Sequence, residues 1–391
     1  MNNYKSANSR ILIPVWKIEA MIVSIIPTFL ALRDVIEDSA VNLAITSSVI
    51  LFLLIVWRRR PIMYRFDHNV WYLWYASLGI AILLMAAYGT MEITQMLAIP
   101  FLMLFVALMM IIMLDRSCNQ IVDVTANMLV VVVMVSTVMW LVGFEPVHVW
   151  AENVGYSSML LSVGVTIQRV SYPLMSGSTS QAALCGLTIV ISVLRYKRYP
   201  ISSSIIFLVA LAGLMASDGR AAAASALITL LYIFWPIGLK WMALILPFGA
   251  PVAIACLNLI PDSLLKLISR TGSIEEILSG NDRLALWKRG VDYLISDWYS
   301  LLFGLGFYGQ DAANITSSFS REFKNFTAKS VSMHNTGLQI LIDQGIIGLS
   351  IMTYLYFVTL KYFGKKISAG DSHARLAAAM LIYILLIGCF D

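Results

Sequence analysis

The sequence predicts an all-α polytopic membrane protein with about 11–12 transmembrane helices and one long loop that contains short helices. Of the 391 residues, 59% are hydrophobic and only 13% are charged, whereas a soluble domain is about a quarter charged. Apolar runs of the length that crosses a bilayer recur along the chain. One stretch of about 75 residues, 261–335, is too polar to cross it.

The lengths of the apolar runs and the breaks between them predict eleven spans. They lie at residues 18–34, 40–57, 69–88, 93–114, 121–143, 179–195, 201–217, 221–238, 241–260, 336–359 and 374–390. Proline residues punctuate many span ends, as expected of a residue that lacks a backbone N–H. The first apolar stretch is not followed by a small-residue cleavage site, so we interpret it as a retained span.

The placement of Lys and Arg predicts which loops face the cytoplasm. With the N-terminus in the cytoplasm, the cytoplasmic segments hold 16 of the 27 Lys and Arg residues, and the short outer loops hold three. The other eight lie in 261–335, and long loops are exempt from this rule. The chain therefore divides into transmembrane helices one to nine in 1–260, an outer loop in 261–335 and C-terminal transmembrane helices in 336–391. If successive spans alternate in direction, the last one ends on the outer side at Asp391. This leaves open either a further span or a number of spans that is wrong by one.

Several site classes have no signature in the sequence. The four cysteines stand singly in or beside apolar runs and predict neither a disulfide framework nor a metal site. There is no H-E-x-x-H, no Walker loop and no paired-carboxylate array. The sequence therefore predicts no cofactor, no metal and no nucleic-acid partner.

Three arginines on the predicted outer side are candidates for binding an anion: Arg169, Arg220 and Arg283. Arg220 is the strongest, because it follows Gly219 and precedes four alanines, with almost no loop around it. A guanidinium held in such a tight turn can bind an anion through paired hydrogen bonds. The simpler alternatives to anion binding are that Arg220 extends toward lipid headgroups and that Arg169 and Arg283 are surface residues.

His334 and Asn335 lie where the polar loop gives way to an apolar run. A lone histidine there is more often an interfacial residue than a catalyst. However, the start of a helix favours a neutral imidazole, which can accept a proton as a general base does. Asn335 could orient that imidazole or bind a sugar hydroxyl.

These motifs, in this order, resemble the bacterial O-antigen ligase and polymerase proteins of the WaaL and Wzy type. The segment Ser279–Trp287 is similar to the family's Ser-Gly-Arg…Trp element, with two residues inserted before Arg283. Gly304-x-Gly306 follows, and then His-Asn, nine residues and Gly-x-x-Gly. Upstream, ASDGRAAAASALI and QRVSYPLMSGSTSQAA resemble the arginine-bearing elements of the family, and they supply Arg220 and Arg169.

The resemblance implies a metal-independent membrane glycosyltransferase of the GT-C-like class in the bacterial inner membrane, with its active site facing the periplasm. The implied donor is a glycan on undecaprenyl pyrophosphate. The acceptor is a second glycan or lipid A-core, and membrane lipids and a chain-length regulator are further partners. His334 would be the base for the acceptor hydroxyl, and Arg220 and Arg283 would act on the pyrophosphate. The expected substrate-binding residues are Arg169, Asn335, Trp287, Gly304 and Gly306.

Within the family, Trp287 and Gly304-x-Gly306 favour a polymerase of lipid-linked repeat units, and a ligase is the alternative. Outside the family, a transporter of lipid-linked glycans would need ionisable residues near the bilayer centre. Asp123, near the inner end of the fifth predicted span, is the clearest such residue. A non-enzymatic scaffold leaves the outer arginines and His334 unexplained.

Overall fold

The computed structural model describes residues 76, 79–84, 118–144, 157, 164–166, 168–175, 177–235, 241, 283–307, 309–316 and 333–389. The predicted spans at 18–34, 40–57 and 93–114 lie outside these residues, as do most of 69–88 and nearly all of 241–260. Much of the long loop also lies outside them, including 261–282 and 317–332.

The described residues form helices and connecting turns, and no β-strand occurs among them. The helices are α1 (Cys118–Leu141), α2 (Ser178–Arg195), α3 (Pro200–Ser217), α4 (Arg220–Phe234), α5 (Arg283–Ser296), α6 (Trp298–Phe303), α7 (Gly309–Ala312), α8 (Thr336–Ser368) and α9 (Ser372–Ile387). Residues 79–84 are helical as well. The predicted short helices of the long loop are observed as α5, α6 and α7.

Four of these helices are long and apolar enough to cross a membrane: α1 from Val122, α2, α3 and α8. The shorter apolar helices α4 and α9 coincide with two further predicted spans. The prediction of an all-α membrane protein is therefore confirmed.

Three helices expose apolar faces of the kind that lipid chains cover. On each, large hydrophobic side chains recur at intervals of four and three residues, the spacing of one helical face. These residues are Val131, Val135 and Val138 on α1, Ile201, Ile205 and Leu208 on α3, and Leu227, Leu231 and Phe234 on α4. So much exposed apolar surface is unusual for a soluble protein and expected of helices in a bilayer.

The inner faces of α2 and α3 pack through small residues. A Cβ atom added to Gly213 of α3 would lie 2.8 Å from the sulfur of Cys185 on α2, and one added to Gly219 would overlap the methyl group of Ala182. Helices in lipid associate through such close backbone approach, because burial of apolar surface gives them little driving force there. Around this pair, α2 also contacts α1, α4 and α9.

Helix α8 is broken at Gly345, whose φ of 65° and ψ of −169° are not helical. The sequence predicted a span at 336–359 but gave no indication of this break. The carbonyls of Ile342 and Asp343 lie beside this break. The amides of Leu305 and Gly306 bond to them at 2.7 and 3.0 Å, so the chain after α6 closes the break.

Candidate functional site

The turn between α3 and α4 places Arg220 at the first position of α4. Asp218 ends α3 in the left-handed conformation, with φ 56° and ψ 38°, and it is 1% exposed. The Nε atom of Arg220 lies 3.9 Å from a carboxylate oxygen of Asp218, and the Arg220 side chain is 24% exposed. The guanidinium is thus partly exposed at a helix start, a place where the helix dipole favours an anion.

Arg169 reaches the same turn from the segment that precedes α2. Its Nη2 atom donates to Ser178 Oγ at 3.0 Å, and its Nε and Nη2 atoms make longer contacts of 3.4 Å with the Ser217 carbonyl. The next amide, of Val170, donates to the Ala216 carbonyl at 3.1 Å. These donors satisfy carbonyls that the end of α3 leaves unpaired. Arg169 therefore supports the turn that carries Arg220, and its contact with substrate stays a prediction.

Buried side chains hold the segment around Arg169 in place. The Tyr172 amide donates to Gln181 Oε1 at 2.6 Å, and Gln181 Nε2 donates to the Gly213 carbonyl at 3.1 Å. The Tyr172 ring stacks on Trp140 of α1 with 5.3 Å between the centroids. A segment without regular secondary structure is thereby fixed against α1, α2 and α3.

His334 lies immediately before α8, as the sequence predicted, and takes an unusual backbone conformation. Its φ is 50°, a left-handed value that few residues other than glycine adopt. The Asn335 side chain caps α8 by accepting from the Leu338 amide at 2.9 Å, and its Nδ2 atom donates to the Cys389 carbonyl at 3.0 Å. Asn335 is 1% exposed. These contacts give Asn335 a structural role, and its contact with substrate stays a prediction.

Two further contacts hold the chain on either side of His334. The Thr336 amide donates to the Gly388 carbonyl at 2.6 Å. On the other side, the indole N–H of Trp287 donates to the Met333 carbonyl at 2.7 Å, and Trp287 is 5% exposed. Trp287 of α5 therefore positions the peptide before His334. Its predicted role in substrate binding is not tested by this geometry.

A buried polar cluster beside this turn was not predicted from the sequence. Gln339 accepts from the Met333 amide at 3.0 Å and donates to Gln310 Oε1 at 3.2 Å and to Asp343 Oδ1 at 2.9 Å. Gln310 and Asp343 are both buried. The available signal was the spacing of Gln339 and Asp343, which are four residues apart on a largely apolar helix.

Gly304 and Gly306, predicted as substrate-binding residues, lie at the break in α8. Both have positive φ, 79° and 81°. The Gly306 amide bonds to the Asp343 carbonyl, and a Cβ atom on Gly304 would overlap the Asp343–Gln344 peptide. Their observed contacts join the loop helices to α8, and binding of substrate by these glycines stays a prediction.

The backbone of Arg283 begins α5, but its side chain lies outside what the structure describes.

The Asp297 carboxylate caps α6, which carries the chain from α5 to Gly304. It accepts from the Ser300 hydroxyl at 2.5 Å and from the Tyr299 and Ser300 amides at 3.1 and 3.2 Å. The bond from the Ser300 hydroxyl, with those from the amides, holds the pKa of Asp297 below its usual value. A charged cap at this point fixes the direction of the chain that closes the break in α8.

Arg169, Arg220 and His334 lie at the same end of the helix bundle. The Tyr383 hydroxyl, one turn before the end of α9, donates to the Ala183 carbonyl in the second turn of α2 at 2.8 Å. The end of α9 therefore lies level with the start of α2, where Arg169 binds. The chain beside His334 bonds to the end of α9, and α4 packs on α2 and α9. The contact lies close to Arg220, because a Cβ atom on Gly186 of α2 would lie 3.0 Å from the Ala222 carbonyl and would overlap the Tyr383 hydroxyl. This region, with Arg169, Arg220 and His334, is called the His334 end.

Residues 205–353 match the family model described as O-antigen ligase, a region that runs from α3 into α8 and includes Arg220, Arg283 and His334. No curated protein and no solved structure matches the chain. The predicted resemblance is thereby confirmed: this is an all-α membrane protein whose residues 205–353 are similar to the O-antigen ligase family.

Proposed function

We propose that the protein polymerises oligosaccharide repeat units carried on undecaprenyl pyrophosphate, by metal-independent glycosyl transfer at the periplasmic face of the bacterial inner membrane. The observation that carries the proposal is the common location of Arg169, Arg220 and His334 at one end of a bundle that matches the O-antigen ligase family. The base and the phosphate-binding groups of such a reaction must lie close to one membrane surface.

In the proposed reaction, a hydroxyl oxygen of the acceptor sugar attacks the anomeric carbon of the donor glycan. The bond between that carbon and the pyrophosphate oxygen breaks, and undecaprenyl pyrophosphate leaves with the bonding electron pair. His334 takes the proton of the hydroxyl. Arg220, with Arg283, stabilises the charge that develops on the leaving pyrophosphate, as preorganised donors do in a site with little water.

An apolar groove beside α8 supports a lipid-linked donor. It has a volume of about 770 Å³, and its lining includes Leu301, Leu341, Ile346, Leu349, Thr353 and Phe357. Leu341 lies two turns of helix from His334, and the groove extends from there along α8. A polyprenyl chain bound in this groove would leave its pyrophosphate near the His334 end.

The acceptor separates the two candidate activities. Trp287 and Gly304-x-Gly306 favoured the polymerase at the level of sequence. The family description, O-antigen ligase, favours the second candidate, in which the finished glycan is transferred to lipid A-core. We retain the polymerase as the preferred candidate, and the test compares the two acceptors.

The test uses the purified full chain and a synthetic undecaprenyl-pyrophosphate-linked repeat unit, with products separated on a gel. A ladder of longer lipid-linked glycans is expected from the wild type. His334→Asn should lose about 10²–10⁴-fold in rate, the usual contribution of a general base. Asparagine is chosen because it tolerates the left-handed conformation at this position. Arg220→Lys should raise the KM for the donor roughly tenfold or more, because an ammonium cannot form paired bonds with phosphate.

Lys288→Gln is the matched control, since Lys288 is exposed on α5. It should keep the wild-type rate. Transfer that occurs only when lipid A-core is supplied would make the protein a ligase. No transfer to either acceptor by folded protein would reject the enzyme assignment and favour the transporter.

A further inference from the structure

A second site lies at the opposite end of the bundle, where α1, α3 and α9 begin and α2 ends. A cavity of about 1060 Å³ opens there. Its lining includes four cationic residues, Arg195, Lys197, Arg198 and Arg375, with His373 and one carboxylate, Asp123. We call this region the Arg195 end.

The single carboxylate is already engaged by the protein. Arg195 Nη2 donates to Asp123 Oδ1 at 2.9 Å, and Arg195 Nη1 donates to Asn127 Oδ1 at 2.5 Å. The other oxygen of Asp123 lies 3.0 Å from His373 Nε2. Asp123 thus ties α1 to α2 and α9. It was the clearest ionisable residue for the transporter alternative, near the inner end of the fifth predicted span, and it lies in the second turn of α1.

The other cations of the cavity are not matched by acidic side chains in the described part of the chain. Lys197 and Arg198 are exposed and form no ion pair with a described residue. The guanidinium of Arg198 lies 5.2 Å from the Tyr199 ring. The buried Nε atom of Arg375 has no acceptor among the described residues. The cavity therefore carries an excess of positive charge and an unused donor.

The cavity also has an apolar side, which continues onto the exposed faces of α3 and α4. Ile206, Phe207, Leu208, Phe234 and Leu376 contribute to it. Leu208 and Phe234 are 63% and 56% exposed and belong to the lipid-facing surfaces described above. A small inorganic anion would use only the basic side, whereas an amphipathic ligand would use both.

We propose that the Arg195 end binds the headgroup of an anionic phospholipid, with the phosphate on Lys197, Arg198 and Arg375 and the acyl chains against Leu208 and Phe234. Basic pockets between transmembrane helices are a recurring form of such sites. The start of α3, which has no side-chain cap, adds the positive end of a helix dipole beside Ser202 and Ser204. The site is separate from the His334 end and does not depend on the proposed reaction.

The test is native mass spectrometry of the detergent-purified full chain, titrated with phosphatidylglycerol or with phosphatidylcholine of the same acyl chains. The wild type should bind phosphatidylglycerol more tightly. The variant Lys197→Gln with Arg198→Gln should weaken that binding roughly 30-fold, which corresponds to about 1 kcal/mol for each cation near a membrane surface. Both positions are exposed, so the fold should survive.

Lys365→Gln with Lys366→Gln is the matched control, because these exposed residues end α8 beside the start of α9 but do not line the cavity. It should bind phosphatidylglycerol as the wild type does. Equal binding of the two lipids, or equal loss in the two double variants, would overturn the proposal. Complete displacement of the lipid by millimolar inorganic phosphate would overturn the lipid assignment and leave a site for a free anion.

Discussion

At the break in α8, Gly304 packs against the chain just before Gly345, and Gly345 packs against the chain just before Gly304. A Cβ atom on Gly304 would overlap the Asp343–Gln344 peptide, and one on Gly345 would lie 2.6 Å from the Phe303 amide nitrogen. Both glycines also have positive φ. Backbone therefore packs on backbone at this point, and the loop helices α5 and α6 are joined to α8 through it.

Substitution of either glycine by alanine should be strongly destabilising. The added methyl group meets backbone that cannot move aside, and the left-handed conformation adds its own cost. The expected loss is about 3 kcal/mol or more of unfolding free energy. Thermal unfolding in detergent would measure it. Gly364→Ala is the control, because a Cβ atom at Gly364 of α8 meets nothing within 4 Å. That substitution should be neutral or stabilise by about 0.5–1 kcal/mol.

Trp287→Phe should lower stability and transfer activity together. The phenylalanine fills most of the buried space but leaves the Met333 carbonyl without its donor, at a cost of about 1–3 kcal/mol. Because the peptide before His334 is then less well fixed, kcat should fall more than the KM for the donor rises. Trp298→Phe is the matched control, since Trp298 is 66% exposed. Equal effects of the two substitutions on kcat would contradict the positioning role of Trp287.

Arg169→Lys should differ from Arg220→Lys in what it changes. A lysine at position 169 cannot contact both Ser178 Oγ and the Ser217 carbonyl in the geometry of the guanidinium. Thermal unfolding should show a loss of about 1 kcal/mol for Arg169→Lys. Arg220→Lys keeps a charge beside Asp218 and should leave the melting temperature nearly unchanged. A larger melting-temperature loss for Arg220→Lys would reject this division of roles.

The cap of α6 predicts a stability that depends on pH. The pKa of Asp297 is lowered in the folded protein by the Ser300 hydroxyl and the two amides. The ionised cap therefore stabilises the fold above the unfolded pKa of about 4, and this contribution is lost as the pH falls through the folded pKa. The melting-temperature difference between the wild type and Asp297→Asn should be largest near neutral pH and vanish in strong acid. Asp292→Asn, an exposed change on α5 without a capping role, should show a smaller difference at neutral pH.

Apolar length predicted the spanning helices well where a polar residue or a proline ends the run. The observed bounds of α2 and α3 differ from the predicted ones by a single residue at most, and Pro200 begins α3 as its fixed φ allows. The predicted span ends at 359, two residues before Lys361. The helix continues to Ser368, since lysines end an apolar run without ending a helix.

The sequence named candidate site residues, but it did not predict the contacts that hold them in place. Its supporting bonds join distant parts of the chain, such as Trp287 with Met333 and Asn335 with Cys389. No local pattern specifies such pairs. The left-handed conformations of Asp218 and His334 were likewise not predictable, because the surrounding fold imposes them.

The bonds from Thr336 and Asn335 to the carbonyls of Gly388 and Cys389 have a consequence for biogenesis. Helices enter the membrane in the order of synthesis, so α9 is inserted after α8. Until then the turn that carries His334 lacks these two bonds, although Trp287 can already hold the peptide before it. Under the proposed function, the support of this turn is therefore complete only after α9 has been inserted.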